Sequence, residues 1–366
     1  MGPLYDAVAF GMWAYTRAAF RVRTFAPQAF RLAPRTLIVV THRRETDVPL
    51  IAPELYFRAS LWRHRSEGMH FAARDDMFLR GFFAGFPPDL SSRTRRLLFP
   101  IGVGRFLPLL AVHPISSASV ARLVELLQTA PEAELAAVVP QPLLATLRER
   151  SAERGLPLPR LGRDVLRGQY ADLLWEPVSR GEGPESFWRA RAARATSDFR
   201  ELVELVRGGG SVVVFPEGRP SPDGEIGPLR RGLDALIRRA KPERLLPVTL
   251  AYDPLVRGRT EVVVVIGEPM EPPSTDVEDR VLARLRRATP LTSGQYVAHE
   301  LAAGREPHPS GLAAEVERAR AEGRFFDPAL IDPASRAKKV AEARAAAEQK
   351  PAELPFLARE FESARV

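Results

Sequence analysis

The chain has 366 residues, 45% of them hydrophobic and 27% charged, proportions that exclude global disorder and allow one large core with an accessory region, or two domains. With no cysteine it excludes disulfides, thiolate nucleophiles and Cys-ligated metals. Lys and Arg number 53 against 45 Asp and Glu, a formal charge of +8 carried almost wholly by arginine, which suits an anionic partner such as a phosphate ester, a nucleic acid or an acidic lipid surface.

Leu4, Val8, Met12, Tyr15, Ala19 and Val22 recur at helical spacing, with Phe10 and Trp13 widening the face. This predicts an N-terminal amphipathic helix over residues 1–26. Asp6, Arg17 and the lack of a small-residue cleavage pattern argue against a signal peptide, and no apolar run is long enough to span a membrane. A helix of this kind either lies on an anionic bilayer or packs on its own domain.

After Pro34 comes a short apolar strand, Thr36 to Thr41, that ends at His42. Asp47 follows five positions later at the head of a predicted helix, where it is placed to cap and Pro49 fits the first turn. Residues 69–86 predict a strand and then an apolar helix; Leu97 to Val112, broken by Pro100, Gly102, Gly104 and Pro108, reads most simply as core, with an acyl-chain pocket or a membrane-dipping segment as alternatives. From 117 to 186 helical stretches alternate with Gly- and Pro-rich connections, predicting a helical insertion.

An amphipathic helix follows, then the strand Ser211 to Phe215, which delivers Pro216, Glu217 and Gly218 to a tight loop. A helix from LRRGLDALIRRA and the strands LLPVTLAY and EVVVVIGEP complete an alternating pattern of nearly all-apolar strands and helices. The fold class expected is α/β, a mixed and largely parallel sheet covered by helices on both faces. Beyond Pro273 only helical, charged patterns remain, expected as an accessory extension over 273–366 with a loose end.

An imidazole just past a strand with a carboxylate five residues on can form a base without a protein nucleophile. If they meet, Asp47 fixes the His42 tautomer and leaves the other ring nitrogen to take a proton from a hydroxyl. The alternative for the pair alone is a capping Asp beside an incidental loop His. His64 and His70 flank Arg65 and Glu67 but lack a third ligand, so no metal site is expected.

The ordered set His42-x4-Asp47, Phe215-Pro216-Glu217-Gly218, Leu229-Arg230-Arg231-Gly232 and Leu246-Pro247-Val248 resembles the glycerolipid acyltransferase family, of the 1-acylglycerol-3-phosphate acyltransferase type, across roughly residues 30–270. The resemblance implies an acyltransferase domain over 27–272, interrupted by the insertion at 117–186. It implies transfer of a fatty acyl group from acyl-CoA or acyl-carrier protein, as co-substrate and without a cofactor, to a lysophospholipid hydroxyl. His42 would be the general base, Asp47 its orienting partner, and Glu217 with Gly218 part of the acceptor site.

Where the family has Thr-Arg-Ser after its Phe-Pro-Glu-Gly, this chain has Arg219, Pro220 and Ser221, and the family's second phosphate arginine has no counterpart near His113. Arg219, Arg230, Arg231 and, beyond the insertion, Arg191 and Arg194 are the candidates for the phosphate contact. The implied setting is cytoplasmic and peripheral, on the inner face of a membrane, with a lipid surface as partner. A catalytically weak lipid-binding or scaffolding protein on the same fold is the alternative; no specific nucleic acid is expected, because no reader motif accompanies the charge.

Overall fold

The computed structural model describes residues 2–27, 31–59, 69–82, 91–153, 155–166, 170 and 173–365. Among them the strands are β1 (Arg21–Phe25), β2 (Thr36–Val40), β3 (Met69–Arg74), β4 (Val112–Ile115), β5 (Val120–Arg122), β6 (Pro177–Ser179), β7 (Ser211–Val214), β8 (Arg244–Asp253) and β9 (Glu261–Ile266). The chain divides into two compact units, one made of Met1–His70 and Val203–Val366, the other of Phe71–Leu202.

In the first unit the strand order is β1-β9-β8-β2-β7. β2 runs parallel to β7, pairing Leu37 with Val212 and Val39 with Val214, and parallel to β8, pairing Thr36 with Arg244 and Val40 with Val248. β8 and β9 are antiparallel, and β9 and β1 parallel. Leu37 to Val40 and Val212 to Val213 are buried at consecutive positions, although consecutive side chains point to opposite faces of the sheet. Both faces are therefore covered, and β-branched runs such as SVVV and EVVVVI suit that environment. The class is α/β with a mixed, mostly parallel sheet.

The N-terminal helix, α1 (Pro3–Ala19), is shorter than its periodicity predicts. It ends where Phe20 turns extended, and Val22, expected on the helix, stands on β1. The reason is pairing: β1 has a parallel partner in β9, and Arg23 donates to Glu261 and Asp327, each at 2.7 Å. α1 packs on the next helix, α2 (Asp47–Arg58), through Tyr5 against Tyr56 with ring centroids 5.4 Å apart, Trp13 against Phe57, and an Arg17–Glu54 ion pair. Leu4, Phe10 and Tyr15 are exposed on it, and Trp13 is partly exposed beside Phe57.

The tail is not loose. Helices at Val277–Ala288, Ser293–Ala302, Pro309–Ala321, Pro333–Gln349 and Leu354–Ala364 belong to the first unit, and Tyr296, Leu312, Val316, Val340, Leu357 and Phe361 form one buried cluster with Leu255. Charge frequency alone misses this, because one buried side chain per turn anchors a helix whose remaining faces are polar.

In the second unit, β3 and β4 pair in parallel from Phe71–Val112 to Arg74–Ile115. The stretch expected as a helical insertion also contains an antiparallel pair, β5 and β6. This unit has its own core, including Leu123, Leu126, Leu147, Trp175 and Trp188. The apolar stretch at 97–112 departs from the simplest expectation: Leu97, Ile101, Phe106 and Leu109 are exposed. Its glycines and prolines replace a regular helix or strand with turns, so its apolar side chains share no single inward face. The helix expected at 78–86 falls partly outside the described residues, which here resume at 91; Asp75–Phe78 form a single 3-10 turn.

Candidate active site

Parallel pairing of β2 with β7 puts the segments that leave their carboxyl ends side by side, the position at which open α/β sheets hold their ligands. From β2 comes the turn 41–46, and from β7 the loop beginning at Phe215. The two are cross-linked through the main chain of His42: its N–H donates to Glu217 Oε1 at 2.8 Å, and its carbonyl accepts from Ser221 N–H at 2.9 Å.

His42 Nδ1 lies 2.9 Å from Asp47 Oδ2, and the same oxygen accepts from the N–H groups of Arg43 at 2.5 Å and Arg44 at 3.0 Å. Asp47 is fully buried. It does not cap α2 as expected: Thr46 holds the cap position, Asp47 is the first helical residue, and its carboxylate turns back to three donors in the preceding turn. With a carboxylate accepting at Nδ1, the ring hydrogen sits there and Nε2 keeps its lone pair. The imidazole also packs on the Phe215 ring, centroids 4.6 Å apart.

The other Asp47 oxygen accepts from Tyr252 Oη at 2.7 Å, and Thr46 Oγ1 lies 2.9 Å from the same hydroxyl. Tyr252 reaches Asp47 because β8 runs parallel to β2 and continues past Val248 to the end of the sheet. Burial, and then the Asp47 charge, push its phenol pKa far up, so it remains a donor. The sequence carries only a faint signal for this residue, a hydroxyl at the end of an otherwise apolar strand.

Glu217 is buried, with Oε2 accepting from Gly227 N–H at 3.2 Å. Burial raises its pKa, opposed by the Arg43 charge and the two main-chain donors. Both of its oxygens are thus engaged in joining the β7 loop to the His42 turn. Gly218 has φ +74°, a conformation that favours glycine, and a Cβ there would meet the exposed Arg230 side chain at 3.2 Å from Nε.

Arg230 lies along Gly218, its Nε donating to the Glu217 carbonyl at 3.3 Å, and its side chain is exposed. Arg219 and Arg231 are exposed and form no ion pair among the described residues. His42, Asp47, Glu217, Gly218, Arg219, Arg230 and Arg231 all lie in the first unit.

Arg191 and Arg194 lie in the second. Arg191 is 4% exposed and pairs with Asp75 at 2.8 Å and with Glu125, while Arg194 reaches Glu125 at 3.6 Å. Burial raises the pKa of Asp75 and of Glu125, with Arg191 opposing in each case. This is a closed ion cluster in which the Arg191 guanidinium already has two carboxylates. His64 lies outside the described residues; among those described, no three His, Asp or Glu are grouped to hold a metal ion.

No protein-family model matches the chain, and no curated protein matches it. Among solved structures it is similar to the 1-acyl-sn-glycerophosphate (LPA) acyltransferase PlsC from Thermotoga maritima, at 16% sequence identity and a TM-score of 0.38, covering 75% of this chain and 73% of that one. At that score the overlay carries no argument, and the functional reading rests on the geometry above.

Proposed function

We propose that the protein is an acyltransferase that moves a fatty acyl group from acyl-CoA or acyl-carrier protein to a glycerolipid hydroxyl, with His42 as general base. The observation that supports it is the His42 Nδ1–Asp47 Oδ2 pair at 2.9 Å, with Asp47 fully buried and Nε2 left as the ring nitrogen without that partner. An alcohol is a weak nucleophile at neutral pH, and a thioester is an activated acyl donor, so a well-oriented base supplies what the reaction lacks. Nε2 takes the proton from the acceptor hydroxyl as its oxygen attacks the thioester carbonyl. The C–S bond then breaks, and the departing thiolate takes the proton back from the imidazolium.

In this reading Arg219, Arg230 and Arg231 receive the phosphate of a lysophosphatidic acid or related lysophospholipid, because their guanidiniums stand exposed beside the loop that holds the base. Arg191 is excluded from that role by its own carboxylates. The protein works on the surface of a membrane: among the described residues no helix is long and apolar enough to cross one, and the exposed Leu4, Phe10, Trp13 and Tyr15 of α1 give it an apolar face to lay in the headgroup region.

The test is release of CoA from palmitoyl-CoA in the presence of mixed lysophospholipids, with mass spectrometry of the products. His42→Ala is expected to lower the rate by about 10²–10⁴-fold with the fold intact. A wild-type rate in that variant removes His42 as the base. Vesicle binding without turnover for every acceptor replaces the enzyme with a lipid-binding protein.

A further inference from the structure

The residue after the base carries a charge that the proposed chemistry does not use. Arg43 is 1% exposed. Its Nη1 donates to the Gly224 carbonyl at 2.9 Å, and its Nε lies 3.3 Å from Glu360 Oε1 as a charge contact without hydrogen-bond geometry. Glu360 is 0% exposed and stands on the C-terminal helix, Leu354–Ala364. Burying both charges is costly, and such a pair rarely adds net stability over an apolar pair of similar volume; what it can supply is a defined geometry.

The same helix grips both segments of the site. Arg44 donates to Glu353 at 2.8 Å, just before the helix, and its guanidinium lies over the rings of Tyr252 at 5.1 Å and Phe356 at 5.6 Å. On the β7 loop, Ile226 N–H donates to Ser363 Oγ at 2.8 Å. Gly224, at φ +92°, comes so close to the helix that a Cβ there would lie 2.2 Å from the Phe356 carbonyl.

Arg43 is therefore held at both ends, by its main-chain N–H on Asp47 and by its guanidinium between Glu360 and Gly224. We propose that Glu360 is a positioning residue for the base: through Arg43 it fixes the 42–47 turn so that His42 stays engaged with Asp47, which makes the C-terminal helix part of the active site. The inference rests on His42 being the base.

Two variants test it. Glu360→Gln keeps the side-chain length and one acceptor oxygen; Arg43→Met combined with Glu360→Leu replaces the pair with apolar volume and leaves no unpaired buried charge. Each is assayed for CoA release from palmitoyl-CoA and, independently of turnover, for the rate of diethyl pyrocarbonate modification of His42, read by peptide mass spectrometry. Both folded variants are expected to lose about ten- to a hundredfold in kcat with the KM for palmitoyl-CoA unchanged, the scale of a small misplacement of a catalytic group. The His42 modification rate should shift with it.

A Glu360 that only stabilises the fold would lower Tm and leave kcat and the modification rate at wild-type values, and that result overturns the proposal. Were the wild type to transfer no acyl group, the proposed function would fall, and the modification rates alone would decide whether Glu360 positions His42.

Discussion

The turn 42–47 and the loop 215–231 meet at the same sheet end, yet they are built in opposite ways. In the turn the Asp47 carboxylate gathers His42, Arg43, Arg44 and Tyr252, and the His42 main chain is bonded on both sides to the β7 loop. In the loop, Glu217 and Ser221 are similarly occupied, while Arg219 and Arg231 are exposed and form no ion pair among the described residues, and the Arg230 side chain, also exposed, donates to the Glu217 carbonyl. A group that moves protons must be held within a fraction of an ångström before substrate arrives, whereas side chains that collect a phosphate can close on it. Under the proposed function, the difference is that between a preorganised base and an adaptable acceptor site.

Asp47→Asn attacks the preorganised side directly. The amide offers one acceptor where the carboxylate offered two, so His42 loses its tautomer control, and kcat is expected to fall by about a thousandfold. Steady-state kinetics on the folded variant checks this; a loss confined to KM would show that the turn binds rather than activates.

Tyr252→Phe comes next. It leaves an Asp47 oxygen without its buried donor and should cost about 1.5–3 kcal/mol of stability, read by denaturant unfolding, with a decrease in kcat of about tenfold as Asp47 gains freedom. The pH profile gives a second view. Burial and Asp47 push the Tyr252 phenol up, so it stays protonated as pH rises and contributes no alkaline limb. The alkaline rate profile of the wild type should therefore show no Tyr252 ionisation and should match that of Tyr252→Phe in shape.

On the adaptable side the effects are smaller and of another kind. Arg230→Ala and Arg219→Ala are each expected to raise the KM of a phosphate-bearing acceptor by about five- to tenfold, with kcat nearly unchanged. The rise should vanish for an acceptor without the phosphate; equal effects on both acceptors would remove the arginines as the phosphate contact. Smallest is Gly218→Ala, which places a methyl group against Arg230 at a positive φ. It should cost about 1 kcal/mol of stability and shift acceptor KM through Arg230, with no change in the His42 modification rate.

Much of the site is legible without a structure because the chemistry is local in sequence. His42 and Asp47 share one turn, and Glu217 and Gly218 share one strand end, so spacing places each pair before folding brings the pairs together. Arg43 and Tyr252 are different. Nothing in the sequence distinguishes Arg43 from the adjacent Arg44, and Tyr252 resembles any strand-end aromatic; each meets its partner about 200 to 320 residues away.

The sequence by itself determined the α/β class, from apolar strands alternating with helices, and its ordered motif set, by its resemblance to a known family, supplied the His42–Asp47 and Glu217–Gly218 candidates. Only the tertiary structure decided that Val22 belongs to a strand, that Arg191 is paired with carboxylates, and that the charged tail places Glu360 against Arg43 of the 42–47 turn. The physical reason is that periodicity records which face of an element is apolar, while a buried charge is defined by the group opposite it, and that group is chosen only when distant segments pack.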